Sequence, residues 1–171
     1  MNGKPQIRAG TPKDIAVLTE IIRRSFRDVA ERFGLDHENC PKHPSNCTET
    51  WVQRDMDRGV GYFILEDEGI AVGCVALEKA DFELSYLERL AVLPSRQRRG
   101  FGRALLDYVL KEAKRLGVHR LNIGIIAGQN ELKSWYKKIG FVETETKDFA
   151  HLPFRVTFMS YKIKGGCRQS N

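Results

Sequence analysis

Two stretches close together in the chain carry residues that could do chemistry. The first is Gln97-Arg98-Arg99-Gly100-Phe101-Gly102, with Arg103 directly after it. From Arg103 to Leu116, apolar residues recur at helical spacing (Ala104, Leu105, Tyr108, Val109, Leu110, Ala113), so the glycines stand at a helix start. The first N–H groups of a helix lack partners within it, and the dipole leaves partial positive charge there. Gly100 and Gly102 let a ligand approach with no Cβ in the way, and Arg98, Arg99 and Arg103 add charge around that point. The expected guest is a pyrophosphate. The third glycine of the dinucleotide fingerprint is absent, as is the Gly-Lys-Ser/Thr of a P-loop. The competing reading of these arginines is a solvated basic turn.

The second is Glu88, the acid inside the strand-like run Tyr86-Leu87-Glu88-Arg89-Leu90-Ala91-Val92. A regular strand alternates its faces, which predicts that Glu88, Leu90 and Val92 point the same way. A carboxylate partly buried there has a raised pKa and suits a general base; a surface acid paired with a lysine or arginine is the other reading. A third grouping, His37, Cys40, His43 and Cys47, has zinc-ligand chemistry. Its spacing matches no finger pattern, and Pro41 and Pro44 constrain the loop, so no metal is expected.

The elements that must position these residues follow from punctuation and periodicity. Gln6 to Ala9 is a short strand. Thr11-Pro12-Lys13-Asp14 opens a helix that runs to Phe33 and stops at Gly34. Asp36 to Asn46 is irregular, and Thr48 caps a second helix ending at Gly59. Strands are expected at 62–65, 70–77, 86–92, 121–126, 141–146 and 156–163, with helices after the glycine loop and over 130–139. Strands followed by strand–helix–strand–helix give an α/β mixed sheet with helices on both faces.

A chain of 171 residues, 42% hydrophobic and 29% charged, suits one soluble domain with a substantial core, expected over 1–164 with a flexible tail at 165–171. No apolar run is long enough for a membrane span, and Met1-Asn2-Gly3-Lys4-Pro5-Gln6 lacks a signal core, so no membrane partner is expected. Four cysteines (Cys40, Cys47, Cys74, Cys167) are too few for a disulfide scaffold, which fits the cytoplasm. A net charge of +6 suits a polyanion, either a phosphorylated cofactor or nucleic acid. The arginines have no interleaved stacking aromatics, which argues against nucleic acid.

From Tyr86 to Phe141 the chain resembles the GNAT acetyltransferase superfamily. Gln97, Gly100 and Gly102 fit its cofactor motif, Leu90-Ala91-Val92-Leu93-Pro94 its strand ending, and Trp135-Tyr136-Lys137-Lys138-Ile139-Gly140-Phe141 its second signature. Arg98 stands where many members have glycine. The resemblance implies a mostly antiparallel sheet of six or seven strands, splayed between the fourth and fifth, that holds acetyl-CoA in the splay. It implies an acetyl-CoA-dependent N-acetyltransferase acting on a primary amine by direct attack in a ternary complex. Leu90 would give its backbone N–H to the oxyanion, and Leu90, Ala91 and Val92 their backbone to the pantetheine arm. Gln97 would order the loop, and N–H groups from Arg98 through Phe101 to Arg103 would hold the pyrophosphate.

Attack by an amine requires loss of its proton, a donor for the oxyanion and protonation of the departing thiolate. Glu88 stands where the histone-type members have their base, and Tyr136 where the superfamily has its general acid. The superfamily's asparagine seven residues before that tyrosine falls on Gln129, with Asn130 one residue on. Either amide reaches the pantetheine, and Asn130 is favoured. The segment from Phe33 to Trp51, including His43, and His151 in the last hairpin are implied to read the acceptor. A monomer or homodimer is expected. A non-catalytic acyl-CoA sensor and a basic nucleic-acid module are the alternatives.

Overall fold

The computed structural model describes residues 3–165. The tail expected over 165–171 lies, but for its first residue, outside the described residues, and so does Cys167. The elements are β1 (Gln6–Ala9), α1 (Ile15–Arg32), α2 (Glu49–Asp57), β2 (Gly61–Asp67), β3 (Ile70–Lys79) and β4 (Leu84–Val92). They continue with α3 (Phe101–Arg115), β5 (Arg120–Ile126), α4 (Asn130–Ile139), β6 (Val142–Lys147) and β7 (Val156–Lys162). The helix expected from Thr11 divides into a 3-10 turn, Pro12–Asp14, and α1. Its capping box is formed: the Asp14 carboxylate accepts from the Thr11 backbone N–H at 2.8 Å. Arg8 binds both Asp14 and Glu66, tying β1 to β2 and to the start of α1. The Thr48 hydroxyl caps α2 by accepting from the Trp51 N–H. β4 begins two residues before its expected start because Asp81 accepts from the Glu83 and Leu84 N–H groups and closes a tight turn there.

The seven strands form one sheet in the order β1-β2-β3-β4-β5-β7-β6. Every neighbouring pair is antiparallel except β4 and β5. These two pair only at Leu84↔Arg120, Ser85↔Leu121 and Tyr86↔Asn122, then part. The sheet therefore splays between its fourth and fifth strands, as the resemblance implied. One face carries α3 and α4 over a core that includes Leu77, Leu87, Val92, Leu105, Leu106, Ile123 and Tyr136. The other carries α1 and α2, with Leu18, Ile22 and Val52 over Tyr62, Ile64, Cys74, Ala76 and Ala91.

β4 is not the regular strand that the alternation argument assumes. Ala76 pairs with Glu88 and Cys74 with Ala91, so Val75 alone opposes both Arg89 and Leu90. Arg89 absorbs the extra residue as a β-bulge at φ 50°. The bulge shifts the parity. Glu88 shares the α1/α2 face with Ala91, while Val92 faces the α3 core; the expectation that Glu88 and Val92 lie on one face is corrected.

Candidate active site

Where β4 and β5 part, a cavity of about 730 Å³ opens and reaches both faces of the sheet. On the α3/α4 side it is lined by Leu87, Ile123, Leu132 and Tyr136, and on the α1/α2 side by Phe26, His43, Glu78, Tyr86 and Glu88. Leu90, Arg89, Asn122 and Gln129 also reach it. A group entering from one face can therefore meet a group entering from the other.

Glu88 is half-buried on this wall. Burial pushes its carboxyl up, the neighbouring Glu78 carboxylate adds to the rise, and Arg89 opposes it. Arg89 is bound to Asp55 and to the Tyr62 hydroxyl, and Tyr62 donates to Asp55 at 2.6 Å. Asp55 and Tyr62 are both buried, and Asp55 also binds Arg58. This buried group lies under the bulge and fixes Arg89 in its left-handed backbone. Sequence reasoning passed over Asp55, Tyr62 and Arg89. A signal was present: Asp55 follows Val52 by one helical turn, an acid on the apolar face of α2.

Tyr136 is 4% exposed, packed edge-on to Trp135 and Phe141, and lines the cavity. Burial raises its phenol, so the hydroxyl holds its proton throughout the neutral and mildly alkaline range. Of the two amides before α4, Gln129 reaches the cavity; Asn130 is exposed at the helix start, beside an outer hollow that it shares with Trp135.

The loop after β4 leads into the uncapped N-terminus of α3. The Gln97 side-chain amide donates to the Val92 carbonyl at 3.2 Å and ties the loop to the strand end. Phe101 is buried in the α3 core and anchors the helix start. Gly100 is the N-cap at φ 80°, and no side chain caps α3, so its first N–H groups are open to a ligand. Arg98 adopts φ 63°, the backbone region natural to the glycine that many superfamily members have there. A Cβ on Gly102 would come only within 3.9 Å of Trp135, so packing alone does not require glycine. Arg98 and Arg99 are exposed and form no ion pair among the described residues; Arg103 binds Asp107.

Of the segment from Phe33 to Trp51 and His151, expected to read the acceptor, His43 and the adjacent Pro44 are on the cavity wall. The His43 Nδ1 is 2.8 Å from Ser45 Oγ, its ring meets Phe26 edge-on, and burial pushes its pKa down. Phe33 instead packs against Gly128, where an added Cβ would come within 2.9 Å of its ring. Trp51 packs on the α1/α2 core, and His151 is exposed beside Phe149. The four residues with zinc-ligand chemistry are dispersed: Cys40 is buried with Leu35, Cys47 belongs to the α1/α2 core, and His37 is exposed. Among the described residues, no three His, Cys, Asp or Glu side chains are placed to hold a metal.

The sequence model of the Acetyltransferase (GNAT) family matches residues 18–141. Amino-acid acetyltransferases of two Neisseria meningitidis strains are 32% identical over 88 residues, 51% of this chain and 19% of theirs. The chain thus spans about a fifth of the length of these curated relatives. The ribosomal-protein-S18-alanine N-acetyltransferase of Escherichia coli superposes with a TM-score of 0.77, at 19% identity over 98% of this chain and 99% of that one. The PaiA N-acetyltransferase of Thermoplasma acidophilum, solved with coenzyme A, superposes with a TM-score of 0.73, at 19% identity over 94% and 99%. At such identities the two structures establish the shared fold.

Proposed function

The chain belongs to the GNAT acetyltransferase family, with acetyl-CoA as its acyl donor, and we propose that it transfers the acetyl group to a primary amine by direct attack in a ternary complex. The observation that carries this reading is the cavity through the splay. It brings Glu88, Leu90 and Tyr136 to one space, accessible from the two faces of the sheet. The open N-terminus of α3 fits the pyrophosphate, because its N–H groups have no other partner and nothing but a bound group requires Gly102. Gln129, on the cavity wall, is the amide we assign to the pantetheine arm.

Glu88 accepts the ammonium proton, leaving the lone pair that attacks the thioester carbon. The Leu90 N–H faces the oxygen as it gains charge. Tyr136 gives its proton to the sulfur as the carbon–sulfur bond breaks, and the second proton lost by the attacking nitrogen returns to the Tyr136 phenolate, so the products are a neutral amide and a free thiol. Its raised pKa keeps Tyr136 protonated until the sulfur gains charge. The buried, free thiols of Cys40, Cys47 and Cys74 are consistent with the cytoplasm as its compartment.

Thiol release from acetyl-CoA, followed across a panel of primary amines, tests this reading. Turnover with at least one amine, reduced roughly a hundredfold or more in Glu88→Gln, is the expected result. Binding of CoA without turnover of any amine supports the sensor instead.

A further inference from the structure

On the α1/α2 side of the splay, the cavity wall carries two carboxyls, Glu78 and Glu88, and its one guanidinium is already engaged. In the β3–β4 ladder Glu78 pairs with Tyr86 and Ala76 with Glu88, so the Glu78 and Glu88 carboxyls leave the same face. Glu78 raises the pKa of Glu88, and it accepts from Arg58, whose other terminal nitrogen is held by Asp55. Among the described lining residues, Arg89 is the only lysine or arginine, and Asp55 and Tyr62 already hold its guanidinium. His43 is buried, which favours its neutral form. Asn122 adds an acceptor oxygen, Oδ1, that is buried without a partner. The rest of this wall is apolar, with Phe26, Val29, Phe154 and Phe158. Two carboxyls and an unpaired carbonyl oxygen suit N–H donors, and no unengaged cation is present to receive an anion.

Resting on the acetyl-transfer reading above, we infer that the acceptor is an apolar primary amine with no carboxylate beside its nitrogen, and not a free amino acid. The class includes amino-acid amides and peptide amino termini. The ammonium enters between Glu78, Glu88 and the Asn122 oxygen while its apolar substituent lies against Phe26 and Phe158. The α-carboxylate of a free amino acid would enter the same space with its charge unpaired, close to Glu78.

The test compares kcat/KM, by thiol release from acetyl-CoA, for leucinamide against leucine and for phenethylamine against phenylalanine. The two pairs change the basicity of the amine in opposite directions, so an ordering common to both reports on the carboxylate. The carboxylate-free member of each pair is expected to win by about a hundredfold, the effect of a like charge held at about 6 Å in a partly shielded site. In Glu78→Gln the advantage is expected to shrink about tenfold. Equal turnover of leucine and leucinamide overturns the inference alone, and so does an unchanged advantage in Glu78→Gln. No turnover of any of the four compounds, with CoA still bound, overturns the transfer reading and the inference with it.

Discussion

At the scale of single residues, Glu88 and Tyr136 divide the proton traffic in the proposed reaction, and their environments push both pKa values upward. The sign fixes the pH dependence. Glu88 works as a base only when ionised, so kcat/KM falls as pH drops through its raised pKa. The acidic limb is expected above the ~4.3 of an ordinary glutamate. In Glu88→Gln that limb disappears, and a limb unmoved by the substitution assigns the base elsewhere. For Tyr136→Phe, kcat is expected to fall roughly a hundredfold or more while acetyl-CoA affinity stays within a few-fold, because the hydroxyl acts only as the sulfur leaves. Equal turnover in the variant removes Tyr136 from the role of acid. Both residues were legible in the sequence as types at motif positions. What Glu88 faces was not, because a strand's alternation holds only as long as its register does, and one left-handed arginine changes it.

At the scale of elements, the bulge in β4 and the start of α3 place the residues of the proposed chemistry. The bulge is held from below by Asp55 on α2, whose carboxylate meets Arg89 and Tyr62 in the core. Asp55→Ala leaves the Arg89 guanidinium buried and uncompensated. It is expected to cost about 3 kcal/mol or more of stability in urea unfolding, and a loss under 1 kcal/mol denies the pair that role. At the other element, Gly102→Glu puts a carboxylate at the open N–H groups of α3, with room to fold because its Cβ meets only Trp135 at 3.9 Å. Acetyl-CoA binding by calorimetry is expected to be lost while the melting temperature stays close to that of the parent. Unchanged affinity places the pyrophosphate elsewhere. The glycine loop was readable because strand, turn and helix follow one another in the chain. The Asp55 network joins residues from α2, β2 and β4, and no local pattern links them.

At the scale of the molecule, the sheet comprises two parts joined at only three residue pairs between β4 and β5. Everything beyond that junction is open to a ligand that reaches from the α3 N-terminus through the splay. The order of elements was legible nearly throughout, since the helices are amphipathic and their ends carry clear caps at Thr11, Thr48 and Gly100. The wall proposed for the acceptor was not. Phe26, Glu78 and Asn122 come from α1, β3 and β5, while Phe33, Trp51 and His151, placed there by resemblance, pack away from the cavity. The central claim is that the two sides of the splay meet in acetyl transfer from CoA to an amine. The most direct test mixes the protein with acetyl-CoA and leucinamide and measures free thiol and acetylated amide in the same sample by mass spectrometry. The two products are expected in equal amounts, and both are expected to be absent with Gly102→Glu. Thiol released without acetylated amide, or CoA bound with neither product formed, would contradict it.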